Sequence, residues 1–345
     1  MGTLECKMRC MTVQLLGRLV VAMSLLGAMA GSAQVRDETL LKQLQPIVTT
    51  HHGKVALYAV QLNTGKSVGI NETEPVQTAS VIKLAILYEA MEQVRSGKAS
   101  WDEKITLKAG EAVGGSGMLH FFDAPMTLTL KDVLTFMVIV SDNTATNLAI
   151  DRFGVGPVNT RLEALGLKNT HLYKKVFAKA TEPMPADQPK FGLGKTTPQE
   201  MAELMTWIGE CKLHPLPGTK AGDVIFAPAD DADRAVCNVT LAMLKSQFYQ
   251  ETIPRYLHGG DGTTASKTGS LNAVRNDVAI VAGKSGPMVL SIFTYDNADQ
   301  GWTVDNEGEV TIAKLAKAIV DAWSPAGLDP KGLSPGLGLD IPAGR

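Results

Sequence analysis

The sequence predicts an α+β protein whose antiparallel sheet is built from both ends of the chain. Two strand-like segments come first, a long stretch of helical periodicity follows, and three more strand-like segments precede a last helix. Strands and helices that are segregated in this way favour a sheet packed against helices over alternating βαβ units. The middle of the chain is therefore expected to form an all-helical lobe inserted between the two sheet-forming parts.

The domain is predicted to open with a β-hairpin. Residues 55–62 have strand composition, Asn63-Thr64-Gly65 has turn composition, and residues 66–71 return as a second strand. The pattern then becomes helical from residue 80 to residue 95, with apolar residues on more than one face and Gly97 as the stop signal. This helix is expected to be largely buried.

The later elements follow from the same signals. The segment Ser141-Asp142-Asn143 interrupts a helical pattern and is expected to form a corner between two helices. The predicted elements are helices at 130–140, 144–153 and 307–323, strands at 263–270, 276–282 and 287–295, and a hairpin turn at 283–286.

The first 33 residues have the layout of a secretory signal peptide. Lys7, Arg9 and Arg18 precede an apolar run at residues 19–30, and small residues follow that run. About a dozen apolar residues fall short of the roughly 20 that a membrane span needs, which favours cleavage over a retained anchor. The chain is therefore expected to be exported, to the periplasm or the medium, with no stable membrane span after cleavage.

The remaining chain is expected to form one catalytic domain with two intimate parts. No internal repeat or flexible linker divides it. The expected layout is a domain at 34–324, an α/β part at about 40–75 and 210–324, a helical lobe at about 76–209, and a loose Pro/Gly-rich tail at 325–345.

Composition and charge exclude several classes of partner. The 345 residues are 45% hydrophobic and 20% charged, which is an ordinary globular composition, and the formal net charge is −2. No run of Lys and Arg is long enough to follow a phosphate backbone, so nucleic acid is not an expected partner. The six His residues lack metal-ligand spacing, so neither a metal nor another cofactor is expected. A monomer is expected.

Two cysteines, Cys211 and Cys237, remain after the predicted cleavage. They flank a segment rich in Pro, Gly and Asp, and an oxidising compartment favours a disulfide between them. The alternative is a pair of independent buried thiols, because spacing alone does not establish proximity.

The first chemical motif is Ser80-Val-Ile-Lys83 at a predicted helix start. Residues three apart share one helix face, so the lysine amine can reach the serine hydroxyl. A serine hydroxyl is a weak nucleophile unless a base takes its proton, and a lysine in a dry cleft beside other cations can have its pKa lowered enough to serve. An isolated motif of this kind more often marks a capped helix with a solvated lysine.

Two further motifs change that balance. Ser141-Asp142-Asn143 alone would be a capping triplet, and Lys267-Thr268-Gly269 alone would be the end of an edge strand. Together the three motifs supply a nucleophile with its base, a second hydroxyl with an amide, and an ammonium for a carboxylate. Gly269 allows a substrate to lie close to the strand, and the N–H groups of Ser80 and Ser270 can form an oxyanion hole.

These segments resemble the class A β-lactamase family. The resemblance rests on residues 77–84, 138–148, 266–270 and 276–280, and it covers about residues 40–324. It implies a β-lactamase/transpeptidase-like fold.

The resemblance also implies roles for single residues. Ser80 would be the acylated nucleophile, Lys83 its basic partner, Ser141 the proton donor to the leaving nitrogen, and Asn143 a contact for the substrate amide. The implied contacts for the substrate carboxylate and the oxyanion side are Lys267, Thr268 and Ser270, with Arg275 as a second carboxylate-binding cation.

One part of the chain departs from the family. Its members carry a Glu-x-x-Leu-Asn loop whose glutamate activates the deacylating water, whereas this chain has Glu182-Pro-Met-Pro-Ala186. Ala180 and Lys195 stand where the loop's usual Arg and Asp are expected. Glu182 is therefore a candidate for the deacylation base, and the alternative is a solvated glutamate in a Pro-rich loop.

The predicted function is that of an exported serine hydrolase that opens β-lactam rings through an acyl-serine at Ser80, with a β-lactam or a peptidoglycan peptide as its small-molecule substrate. A D-alanyl-D-alanine peptidase or penicillin-binding enzyme with slow deacylation shares all three motifs. A non-catalytic relative that binds cell wall is the alternative from another class.

Overall fold

The computed structural model describes residues 35–179, 183–216, 218–219, 224–257 and 262–333. The predicted signal peptide and Glu182 lie outside the described residues. The strands are β1 (Val35–Arg36), β2 (Lys54–Gln61), β3 (Lys66–Ile70), β4 (Val76–Gln77), β5 (Lys104–Leu107), β6 (Met126–Thr129), β7 (His171–Leu172), β8 (Gly194–Thr196), β9 (Thr264–Leu271), β10 (Val274–Gly283) and β11 (Gly286–Tyr295). The α-helices are α1 (Glu38–Thr50), α2 (Lys83–Arg95), α3 (Leu130–Ile139), α4 (Asn143–Phe153), α5 (Val155–Ala164), α6 (Gln188–Phe191), α7 (Pro198–Gly209), α8 (Asp231–Lys245) and α9 (Glu307–Trp323).

The main sheet joins the two ends of the domain. Its strand order is β1-β3-β2-β11-β10-β9, and the pairings from β3 to β9 are antiparallel. The hairpins β2–β3 and β10–β11 form where the sequence predicts them, the second across the turn at Lys284 and Ser285. The α+β class is therefore confirmed, with a sheet built from both sheet-forming parts of the chain.

Each face of the sheet is covered by helices. On one face α1 and α9 pack on the strands through a core that includes Leu40, Leu44 and Ile312. On the other face lies the larger core, which contains α2 and its neighbours. Residues 83–92 of α2 are all buried, as the sequence predicts for a helix with apolar residues on several faces.

Several elements differ from the sequence prediction. Helix α1 is not among the predicted elements, since Pro46 lies inside it, although Asp37 caps its first turn through the N–H of Leu40 at 2.9 Å. Helix α7, assigned to the helical lobe, packs on β2, β10 and β11, whereas α8, assigned to the α/β part, packs on α2, α3 and β9. Elements close in sequence are thus shared between the two parts.

The beginning of the C-terminal tail is attached to the sheet rather than loose. Leu328 pairs with Gly283, and the N–H of Asp329 donates to the carbonyl of Ala282 at 2.9 Å. Leu333 is buried. The prediction of a loose tail is therefore wrong for residues 325–333, because the apolar side chains in this Pro/Gly-rich segment find a core to enter; residues 334–345 lie outside the described part.

The expected disulfide is absent. Cys211, just after α7, and Cys237, within α8, are both free and buried. The fold does bring the two thiols into a hydrogen bond, and this contact and burial raise the pKa of Cys237. The two cysteines are thus neighbours, as a disulfide would require, but the structure holds them as free thiols.

The part of the chain that the structure describes contains no helix that is both long and apolar enough to cross a bilayer. Within the same ranges, no three His, Cys, Asp or Glu side chains are grouped so that they could hold a metal ion.

Candidate active site

Ser80 lies on a short 3₁₀ helix, Ala79–Ile82, that runs directly into α2 at Lys83. The residue before it, Ala79, has a φ of 44°, which is uncommon for a residue with a side chain. Ser80 is half-buried and Lys83 is fully buried. Because the first N–H groups of a helix have no acceptor within it, the Ser80 N–H is available to an incoming oxygen.

The segment before Ser80 is held from two sides. The side-chain amide of Asn276, on β10, donates to the carbonyls of Gln77 at 2.8 Å and Thr78 at 3.1 Å. The N–H of Thr78 donates to the carbonyl of Gly194 at 3.1 Å. These bonds fix the backbone that carries the serine, which is what a strained turn requires to persist.

The corner Ser141-Asp142-Asn143 forms between α3 and α4. Ser141 has a φ of 53°, and Asp142 caps α4 through the N–H of Ala145 at 2.8 Å. The second carboxylate oxygen of Asp142 accepts from the N–H groups of Met118 and Leu119, at 2.6 and 2.8 Å. The buried Asp142 therefore holds the corner against the loop that contains Met118 and Leu119, and backbone N–H groups occupy both of its carboxylate oxygens.

The three motifs meet at the hydroxyl of Ser141. The Lys83 amine lies 3.0 Å from Ser141 Oγ, 2.6 Å from the Ser141 carbonyl and 3.5 Å from Asn143 Oδ1. The Lys267 amine, from β9, lies 3.1 Å from the same Ser141 Oγ and 2.8 Å from the Thr268 carbonyl. Two lysines that are 184 positions apart in sequence thus share one hydroxyl.

Burial sets the charge of these two lysines. Desolvation, assisted by the positive charge of Lys267, holds the pKa of Lys83 well below its ordinary value, and Asp142 opposes the shift. Desolvation also lowers the pKa of Lys267 to about 7, against the pull of Asp277. Burial raises the pKa of Asp277 itself to about 6. A neutral Lys83 can accept a proton, and Lys267 can be charged at or below neutral pH.

Gly269 brings β9 against the turn that carries Ser80. A Cβ atom at this position would lie 2.7 Å from the Thr78 carbonyl oxygen and 2.9 Å from the backbone nitrogens of Ser80 and Val81. Thr268 is buried and Ser270 is half-buried on either side of it. Glycine is therefore required here because two backbones are in contact, and the strand runs beside the Ser80 N–H.

If Ser80 is acylated, as the family resemblance implies, Gly269→Ala should slow acylation by about 10²-fold, because the new methyl meets backbone atoms and must displace the Ser80 turn. The rate constant for acylation by a penicillin measures this. Gly156→Ala is the matched control: a Cβ there meets nothing within 4 Å, and acylation should stay unchanged. Equal rates for Gly269→Ala and the wild type would contradict the account of this contact.

The pH dependence of acylation should show the charge of Lys267. Below its pKa of about 7 the ammonium is present, and it is lost as the pH rises through that value, so kcat/KM for a substrate with a carboxylate should fall on the alkaline side. A methyl ester of the same substrate is the control. It has no carboxylate to bind the Lys267 ammonium, so its pH profile should lack this alkaline limb. An identical alkaline limb for acid and ester would contradict the assignment.

Arg275 is placed differently from the other predicted residues. Its guanidinium is fully buried and donates to Glu309 at 3.1 Å, to the Val274 carbonyl at 2.8 Å, and to the carbonyls of Leu271 and Gly301. The indole of Trp302 covers it at 4.7 Å. Four of its five N–H donors are thus engaged by Glu309 and by backbone carbonyls, while the backbone of Arg275 pairs with Ser270 in the sheet.

A feature that the sequence analysis missed braces the loop after Glu182. Lys195 Nζ lies 2.6 Å from a carboxylate oxygen of Asp187, and the hydroxyl of Tyr173 donates to the other oxygen at 2.8 Å. Hydrogen bonds from Lys195 and Tyr173 lower the pKa of Asp187. The sequence signal for this ion pair was Asp187, eight residues before Lys195. In this pair the acid precedes the base, whereas in the family's pair the Arg precedes the Asp.

Comparison with known proteins gives one family. The model of the β-lactamase enzyme family matches residues 39–219 and 229–323. The β-lactamase SME-1 of Serratia marcescens is 21% identical over 292 residues, which are 83% of this chain and 90% of that protein.

The fold also matches solved structures. A β-lactamase from Sphaerobacter thermophilus superposes with a TM-score of 0.68 and 27% identity, covering 83% of this chain and 97% of that one. PBP-A superposes with a TM-score of 0.69 and 23% identity, covering 85% and 98%, and a mutant of PBP-A was solved as an acyl-enzyme complex with penicillin G.

Proposed function

This chain belongs to the β-lactamase enzyme family, and we propose that it opens β-lactam rings through an acyl-serine intermediate at Ser80. One observation carries the proposal: the amines of Lys83 and Lys267 meet at the Ser141 hydroxyl, while β9 runs beside the Ser80 N–H. Membership of the family supports the reaction class.

Acylation follows from the charges. Lys83, neutral because it is buried, takes the proton of the Ser80 hydroxyl as its oxygen attacks the ring carbonyl. The N–H groups of Ser80 and Ser270 bind the oxygen that becomes negative. The ring C–N bond then breaks, and the Ser141 hydroxyl gives its proton to the leaving nitrogen and regains one from the Lys83 ammonium at 3.0 Å. The products are an ester on Ser80 and a free ring amine.

Substrate contacts occupy the remaining residues. The Lys267 ammonium, with the hydroxyls of Thr268 and Ser270, binds the substrate carboxylate. The Asn143 amide binds the carbonyl of the acyl substituent. Glu309 and the backbone carbonyls engage four of the five N–H donors of Arg275, which leaves one for the substrate carboxylate.

Water must then cleave the ester. Glu182 is the candidate base for this step, and its loop keeps Glu-Pro but lacks the Leu-Asn of the family pattern. That departure favours a second candidate, a penicillin-binding enzyme or D-alanyl-D-alanine peptidase whose acyl-enzyme turns over slowly on β-lactams. We further propose that the protein acts as an exported monomer.

Hydrolysis assays separate these functions. The mature protein should consume a penicillin or a cephalosporin, and the loss of absorbance of the β-lactam ring measures this consumption. Release of D-alanine from a D-alanyl-D-alanine peptide would favour the second candidate. A stoichiometric burst without further consumption would indicate slow deacylation. Neither consumption nor a burst with any of these substrates would contradict the proposed function.

A further inference from the structure

Phe177 has two unfavourable features, an exposed aromatic ring and a left-handed backbone conformation. Its side chain is 74% exposed, which is large for an aromatic residue. Its φ is 56°, a left-handed conformation in which a residue with a bulky side chain is strained. Residues held in a strained backbone conformation cluster at active sites and ligand-binding segments.

The segment that carries Phe177 is fixed in place. Asn147, on α4, bonds the backbone of Val176 in both directions, accepting from its N–H at 2.7 Å and donating to its carbonyl at 3.1 Å. On the other side the Lys174 amine donates to the carbonyl of Ala178 at 3.0 Å. The aromatic ring is therefore presented by a braced turn whose position is coupled to the helix that begins at Asn143.

The ring lies at the edge of the candidate active site. A Cβ atom at Gly115 would lie 2.8 Å from the side-chain nitrogen of Asn143 and 3.3 Å from Cε2 of Phe177. The Asn143 amide and the Phe177 ring thus flank the same point. Gly115 has no side chain to fill it, and the Asn143 nitrogen donates to the neighbouring Gly114 carbonyl at 3.1 Å, which holds the amide in this orientation.

The chemistry of the proposed substrate indicates which of its groups lies against the Phe177 ring. In the proposed function, Asn143 binds the carbonyl of the acyl substituent. The group attached to that carbonyl must then extend past the Asn143 amide towards a neighbouring side chain. The Phe177 ring lies beside the same point as the Asn143 amide. The Lys175 amine pairs with Asp151 at 2.6 Å, and the Lys174 amine is bonded to the Ala178 carbonyl. The group beyond the carbonyl therefore meets an exposed aromatic ring at this edge of the site.

We propose that Phe177 is a specificity-determining residue that selects substrates with an aromatic acyl substituent by packing against its ring. This inference rests on the proposed acylation of Ser80. An aromatic pair gains an offset-stacked or edge-to-face contact beyond the area it buries. An acyl group with no ring, or no acyl group at all, makes no such contact.

The test compares acylation of Ser80 by benzylpenicillin, which carries a phenylacetyl group, and by 6-aminopenicillanic acid, which has no acyl substituent. Phe177→Gly removes the ring and also relieves the left-handed strain, whereas Phe177→Tyr keeps the ring. With Phe177→Gly, acylation by benzylpenicillin should slow about three- to tenfold while acylation by 6-aminopenicillanic acid changes less than about twofold. Phe177→Tyr should retain the wild-type ratio of the two rate constants.

The control is Ile225→Ala, an exposed apolar residue beside Leu216, which should alter neither rate constant. Parallel losses with both substrates in Phe177→Gly would assign the residue a structural role only and overturn the inference. Unchanged rates with both substrates would also overturn it. Wild-type protein that is acylated by neither substrate would instead overturn the proposed function, and the wild type is measured first so that the two failures are distinguished.

Discussion

Ser80→Ala should abolish β-lactam turnover, lowering kcat by about 10⁴-fold or more, because in the proposed function the Ser80 hydroxyl forms the acyl bond. The variant should fold as the wild type does, since Ser80 is only half-buried and the bonds from Asn276 reach Gln77 and Thr78 rather than the serine side chain. Initial rates of penicillin hydrolysis measure the loss, and a binding assay with the same penicillin shows whether the cleft is intact.

Ser100→Ala is the matched control for this substitution, because Ser100 is an exposed serine outside the motifs and its loss should leave turnover unchanged. Retained turnover in Ser80→Ala would contradict the assignment of the nucleophile. A wild type that binds ligand and never turns it over, with the same affinity in Ser80→Ala, would indicate the non-catalytic binding protein.

Lys83→Ala should slow acyl-enzyme formation by about 10²-fold or more, which is the contribution typical of a positioned general base. The amine is fully buried, and desolvation together with Lys267 lowers its pKa, so that it can take a proton from Ser80. The rate constant for acylation is measured over a range of pH. The variant should lose the acidic limb of the profile, since that limb reports protonation of Lys83.

The substitution also removes hydrogen bonds to Ser141 and Asn143, so thermal unfolding is measured beside the kinetics. Lys98→Ala, which removes an exposed lysine, is the control for loss of a positive charge. An unchanged acylation rate in a folded Lys83→Ala protein would remove Lys83 from the mechanism. A slower rate with the same acidic limb would assign it a structural role.

The local structure of each motif was predictable because each lies in a regular element or at the end of one. Periodicity places Ser80 and Lys83 at a helix start, the Ser141 corner between two helices, and Lys267 in a strand beside Asn276. Turn composition and strand alternation then suffice to build the hairpins and the sheet. The family resemblance supplied the roles, and the local patterns supplied the positions.

Contacts between distant side chains were not predictable from these patterns. The direction of the Arg275 guanidinium depends on Glu309 and on the Gly301 carbonyl, which come from the segment after the sheet. The contact of Gly269 with the Ser80 turn depends on how β9 approaches the 3₁₀ helix. Both contacts depend on the tertiary structure, which neither periodicity nor turn composition predicts.

Ala180 and Lys195, in place of the family's Arg and Asp, predict a loop without its usual salt bridge. In the structure, Asp187 instead binds the Lys195 amine and the Tyr173 hydroxyl in this part of the chain. The acid precedes the lysine, the reverse of the family's order of Arg and Asp, so residue types at the family's positions do not predict this ion pair.

Mass spectrometry of the protein mixed with excess penicillin tests the central claim most directly. The intact mass should increase by one penicillin, and peptide mapping should place the adduct on the peptide that contains Ser80, with no adduct in Ser80→Ala. Decay of the adduct as the drug is consumed would mean that deacylation works, and a lasting adduct would mean the slow penicillin-binding enzyme. An adduct on any other residue, or consumption of the drug without any adduct in a protein still active after Ser80→Ala, would contradict the account.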